Sequence, residues 1–135
     1  MRRSPLVLGS AALLFAGTAG TAHHSTAMFE WGKEVPMANA TVERWEWTNP
    51  HTFLYVKVTN AKGQTEQWAF EGMSPNHLSR AGWNARTLKP GDKISLTYYK
   101  LKDDRKGGFN VSVTFPDGRK MRQLDFSSIS PASPN

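Results

Sequence analysis

Residues Thr52 to Thr59 alternate strictly, with Leu54, Val56 and Val58 on one side and Phe53, Tyr55 and Lys57 on the other. Only an extended strand with one buried face satisfies a period of two. Comparable runs recur at Met37–Trp47, Gln64–Glu71, Lys93–Leu101 and Phe109–Phe115, with a short edge strand at Met121–Leu124. Turn residues separate them: Thr48-Asn49-Pro50, Asn60-Ala61-Lys62-Gly63 and Pro116-Asp117-Gly118. In the first run Val42 and Trp45 are out of phase, and a β-bulge near Glu43–Arg44 reconciles its halves. The single helix signal lies between the third and fourth runs. Ser74 caps it, Pro75 suits its first position, Leu78 and Ala81 face inward, and Gly82 closes it.

Three strands, a helix and two strands with a short third predict an all-β domain with one short helix. That order fits an OB-fold-like five-stranded Greek-key barrel over residues 37–126. A β-sandwich is the alternative, disfavoured by the helix. Val42, Leu54, Val56, Val58, Trp68, Phe70, Leu78, Ile94, Leu96, Val111 and Val113 supply the expected core. At roughly 1.5–3 kcal/mol gross for each large side chain buried, they suffice without disulfides, and the chain has no cysteine to form any. Lys102 to Gly108 reads as a charged, solvated loop ending in two glycines, and 127–135 as a disordered tail.

Ahead of this domain, Arg2 and Arg3 precede the apolar stretch Pro5–Ala16 and the small residues Ala19-Gly20-Thr21-Ala22. This is the pattern of a secretory signal peptide over residues 1–22, and it places the mature protein in the periplasm or outside the cell. The apolar stretch is too short to span a bilayer, and no later segment is a transmembrane candidate. Removing it leaves 113 residues, including an arm at 23–36, and takes the formal charge from +6 to +4. That surplus favours acidic envelope partners, while export argues against nucleic acid.

Cleavage after Ala22 makes His23 the mature N-terminus, where one α-amine and one imidazole can chelate a single ion, a histidine brace. Cleavage after Ala19 or Thr21 is also chemically acceptable, and a terminal His pair is then a solvated end. His51 follows the stiff corner Asn49-Pro50 at the start of the alternating strand. By itself this corner reads as a backbone-bonding turn. If the arm folds back over it, His23, His24 and His51 bring three imidazoles and an amine together, a donor set that suits copper first and zinc second. The competing reading is a metal-free module that binds an envelope glycan or partner protein through aromatic and basic side chains, among them Trp31, Trp45, Trp47, Trp68, Trp83, Phe53, Tyr55 and Tyr99. Tryptophans in a small barrel more often fill the core and cover its ends. No paired carboxylates and no nucleophile elbow argue for an enzyme.

Several strings together resemble a family of small exported bacterial proteins, the domain of unknown function family 6152. They are Ala22-His23-His24-Ser25, Met28-Phe29, Trp47-Thr48-Asn49-Pro50-His51, Trp68, Glu71, Ser74-Pro75, Leu78, Gly82-Trp83, Leu88-Lys89-Pro90-Gly91-Asp92 and Pro116-Asp117-Gly118-Arg119. The resemblance spans nearly all of the mature chain and implies one exported domain whose pattern includes His23, His24 and His51. His77 falls outside that pattern, and the resemblance implies no activity.

Overall fold

A computed structural model describes residues 26–123. The strands are β1 (Val35–Glu46), β2 (Phe53–Thr59), β3 (Thr65–Glu71), β4 (Lys93–Lys100), β5 (Gly107–Thr114) and β6 (Lys120–Arg122), with helix α1 (Pro75–Arg80) between β3 and β4. They hydrogen-bond in the order β3-β2-β1-β4-β5-β6, and a parallel β3–β5 pairing closes the first five into a mixed barrel. This is the expected Greek-key barrel with one short helix, not a sandwich.

The long first strand makes closure possible. Its C-terminal half pairs with β2 and its N-terminal half with β4. The register slips between Val42 and Arg44, at the expected bulge, so buried Val42 and half-buried Trp45 both reach the core. A second slip between Met37 and Ala40 contains Asn39, whose φ of 57° is left-handed. Asn tolerates that region better than most residues. The strand starts at Val35, so Val35 and Pro36 belong to it and not to the arm.

Helix α1 follows its sequence signals at the start. The Ser74 side chain accepts a hydrogen bond from the His77 backbone N–H at 3.2 Å, Pro75 opens the helix, and Leu78 is fully buried. Ala81 does not face inward: it is the exposed C-cap, and with one turn and a half the helix buries only Leu78. Gly82, at φ 84°, turns the chain so that Trp83 enters the core.

Two apolar clusters result. Inside the barrel lie Val42, Leu54, Val56, Phe70, Leu78, Trp83, Ile94, Leu96, Tyr98 and Val113, with Val58 and Trp68 packed against them half-buried. Val111 lies in a second cluster with Phe29, Tyr99, Leu101 and Phe109. A register slip between Thr97 and Tyr98 separates Val111 from the face of Val113. Strand β5 therefore buries both faces, which strict alternation does not anticipate. The arm covers this second cluster: Phe29 bridges to Leu101, and its ring lies 5.6 Å from that of Phe109. Glu34 then receives a hydrogen bond from the Arg122 guanidinium at 2.9 Å. Partial burial pushes the Glu34 carboxyl up, but hydrogen bonds from Arg122 and Thr97 outweigh it and hold it below the usual range. The contact therefore stabilises the fold above the ordinary carboxylate pKa and is lost as pH falls through the lowered folded value.

The stretch read as a solvated loop ends earlier than its composition suggests. Residues 102–106 are exposed, but Gly107 and Gly108 are buried residues of β5 paired with Ala69 and Phe70. A Cβ on Gly107 would collide with the Ala69 carbonyl oxygen, and one on Gly108 with the Tyr99 carbonyl oxygen and the Tyr98 ring. Glycine stands here because backbones approach closely where the barrel closes.

Candidate functional site

The β2–β3 hairpin positions His51. Its register places Phe53 opposite Glu71, so His51, two residues before Phe53, lies diagonal to Glu71 across the pair. The ring Nδ1 is hydrogen-bonded to Glu71 Oε1. A carboxylate is an acceptor only, so Nδ1 carries the proton and Nε2 holds the lone pair of the neutral ring. The corner is braced from behind, where the Thr48 hydroxyl donates to the His51 carbonyl at 3.0 Å. His51 is thus a half-buried imidazole held in one tautomer by a mostly covered carboxylate.

Beside this pair lies a buried polar group. The Thr52 hydroxyl donates to the Met73 carbonyl at 2.9 Å, and Gln123 Oε1 accepts the Met73 N–H at 2.9 Å. Gly72 fits between them, since a Cβ there would meet both the Gln123 amide and the Thr52 hydroxyl. His77 Nε2 reaches the Gln123 carbonyl at 3.1 Å, which gives this histidine a structural bond within the same corner. Asn110, paired with Tyr98 across β4–β5, is fully buried, and among the described residues neither atom of its amide has a partner. Burying an unpaired amide costs about 1–3 kcal/mol, whereas an apolar residue of the same shape carries no such cost. Asn110→Leu should therefore stabilise the domain by about 1–2 kcal/mol in urea unfolding. A destabilised variant would show that the amide is satisfied.

Of the expected ligands, only His51 falls within the described residues. His23 and His24 lie outside them, as do the signal peptide and the tail. Among the described residues no group of three His, Cys, Asp or Glu side chains could hold a metal ion. His51 and Glu71 bring one imidazole and its orienting carboxylate, so any ion here needs donors from elsewhere. The sequence alone offers Glu71 no partner. The hairpin register set by the Asn60–Gly63 turn was the signal that could have joined it to His51.

The aromatic residues divide as the tryptophan expectation implied. Trp83 is buried, Trp45, Trp47 and Trp68 pack half-buried on the core, and Trp31 is the exposed one. Trp31 itself packs edge-on to Phe29 and Tyr99. On the outer face of β2, Phe53 and Tyr55 stack with ring centroids 6.4 Å apart, and the Arg44 guanidinium lies 4.0 Å from the Tyr55 ring centroid. That platform is already covered in part by the protein's own cation. No helix among the described residues is long and apolar enough to cross a membrane.

The family model described as "Family of unknown function (DUF6152)" matches residues 11–110, and the chain belongs to that family. No curated protein and no solved structure matches it.

Proposed function

We propose that this member of the DUF6152 family is an exported protein of the periplasm or cell exterior. In this reading it binds a transition metal, copper first and zinc second, through His23 at its mature N-terminus together with His24 and His51. The observation that carries the reading is the His51–Glu71 pair. Metal-binding histidines almost always donate their second ring N–H to a carboxylate or carbonyl, which fixes the tautomer and raises the basicity of the ligating nitrogen. Glu71 does this at Nδ1, which makes Nε2 the donor atom.

The arm supports the same reading by its route. Phe29 packs on Phe109, whose backbone partner across the barrel closure is Glu71. In this reading the six positions from Phe29 back to His23 fold the mature N-terminus over the His51 corner. A mature N-terminus at His23 then completes the set with an amine and a second ring. The chemistry open to such a site is binding and delivery of the ion.

Titration of Cu(II) into the mature protein by calorimetry tests the proposal. One saturable ion per chain, lost on His51→Ala and on adding a residue before His23, is the expected outcome. Equal affinity in all three proteins would leave the metal-free binding module as the reading.

A further inference from the structure

The described residues include fifteen Lys and Arg side chains, of which seven are ion-paired. Arg44, Lys57, Lys100, Arg105, Lys106 and Arg122 each pair with a carboxylate. Three of the cations without a carboxylate share an open groove of about 470 Å³ between the loop after α1 and the β5–β6 hairpin, lined among others by Arg86, Lys89, Lys93 and Arg119. Asp92 is its only acidic residue, and that carboxylate is taken by Lys89, whose backbone N–H donates at 2.9 Å and whose ammonium lies at 3.4 Å. Arg86, Lys93 and Arg119 have no carboxylate partner among the described residues.

These three cations stand on locally braced backbone. Asn84 Oδ1 accepts the Arg86 N–H at 2.8 Å, and Asp117 Oδ1 accepts the Arg119 N–H at 2.9 Å. The Arg119 guanidinium lies 4.3 Å from the Phe115 ring centroid, and Lys93 Nζ donates to the Thr41 hydroxyl at 2.6 Å. Like charges lining one groove repel one another in the free protein, and an anion seated among them relieves that repulsion. Guanidinium forks match phosphate oxygens two at a time, and an ammonium adds a point charge. A second groove of about 450 Å³ continues from the first through Lys93, Phe115 and Pro116, with Ile94 also in its lining. It offers a less polar surface for whatever the anionic group is attached to.

We propose that this groove binds a phosphate ester, its phosphate held by Arg86, Lys93 and Arg119 and its uncharged portion lying on Phe115 and Pro116. The groove shares no residue with the His51–Glu71 pair, so the inference stands apart from metal binding. A soluble ester and a lipid headgroup present the same chemistry, and the test separates them. The ¹⁵N-labelled protein is titrated with inorganic phosphate, with glucose 6-phosphate, and with phosphatidylglycerol in phosphatidylcholine vesicles.

Saturable changes confined to residues 84–93 and 114–121 are expected with glucose 6-phosphate or with the anionic vesicles, whichever is the source. The phosphate ester should bind more tightly than inorganic phosphate. Arg86→Glu with Arg119→Glu should weaken binding by at least about tenfold. Lys62→Glu with Arg80→Glu changes net charge equally but lies outside the groove, and should leave binding within about twofold. All four positions are exposed, and thermal melts of both variants check that the fold is kept. Absence of saturable binding with every probe, or equal loss in the two double variants, overturns the proposal.

Discussion

Gly108→Ala should unfold the domain far more readily than its single added methyl suggests. The new Cβ would collide with the Tyr99 carbonyl oxygen and the Tyr98 ring and lie 3.1 Å from the Tyr99 carbonyl carbon. Two of those atoms belong to the β4 backbone, which cannot move aside as a flexible side chain tip can. Relief requires β4 and β5 to separate where Lys100 pairs with Gly108, and β5 at that residue also forms the closing pair with Phe70 of β3. The expected loss is about 3 kcal/mol, the upper end for overpacking, or roughly 12–20 °C in the melting midpoint of a domain this size. Gly118→Ala is the comparison. At φ 87° with nothing within 4 Å of the added carbon, it meets only the left-handed strain of about 1–2 kcal/mol. Urea unfolding of both variants decides the matter, and equal losses would show that the closure tolerates a side chain.

Those glycines also mark where sequence and structure part. Strand existence and order followed from period-two patterning, because β2, β3 and the first part of β4 each bury one face, with only Tyr98 and Tyr99 at the end of β4 buried on both. The bulge at Glu43 was readable from the phase slip between Val42 and Trp45. Gly107 and Gly108 were read as loop because glycine is ambiguous: it marks turns and equally marks backbones in close approach. Val111 is buried as its alternation implies, but the bulge that turns it into the second cluster has no signature in the regular alternation of Phe109, Val111 and Val113. At the site, His51 stood out because proline stiffens its corner, whereas Glu71 was one carboxylate among many. Only the hairpin register makes it the partner of His51. Asn110 and Gln123 were invisible for a simpler reason: a polar residue in a strand pattern is assigned to the solvent side, and both are buried.

The metal reading makes its sharpest demand on Glu71. If Glu71 orients His51 through Nδ1, Glu71→Ala should weaken Cu(II) binding roughly 10–100-fold although Glu71 donates nothing to the ion, the usual effect of removing a ligand's supporting partner. Glu71→Gln should recover much of that loss, because the Gln amide oxygen can still accept the Nδ1 proton. His51→Ala should weaken binding more than either, since it deletes the donor, and one extra residue before His23 should do the same by removing the α-amine from the chelate. His77→Ala should change affinity little, since its Nε2 is engaged by the Gln123 carbonyl. In every protein that binds, affinity should fall on acidification, because protons compete with the ion for the amine and the ring nitrogens. Calorimetric titrations of the parent and these five variants, with circular dichroism to verify folding, read these differences directly. The ordering separates orientation from mere stability: a structural role for Glu71 would lower the melting temperature of Glu71→Ala without making Cu(II) affinity depend on whether residue 71 can accept a hydrogen bond. If Glu71→Ala and Glu71→Gln bind copper as the parent does, Glu71 does not orient a ligand, and if His51→Ala does so too, His51 is not the distant ligand.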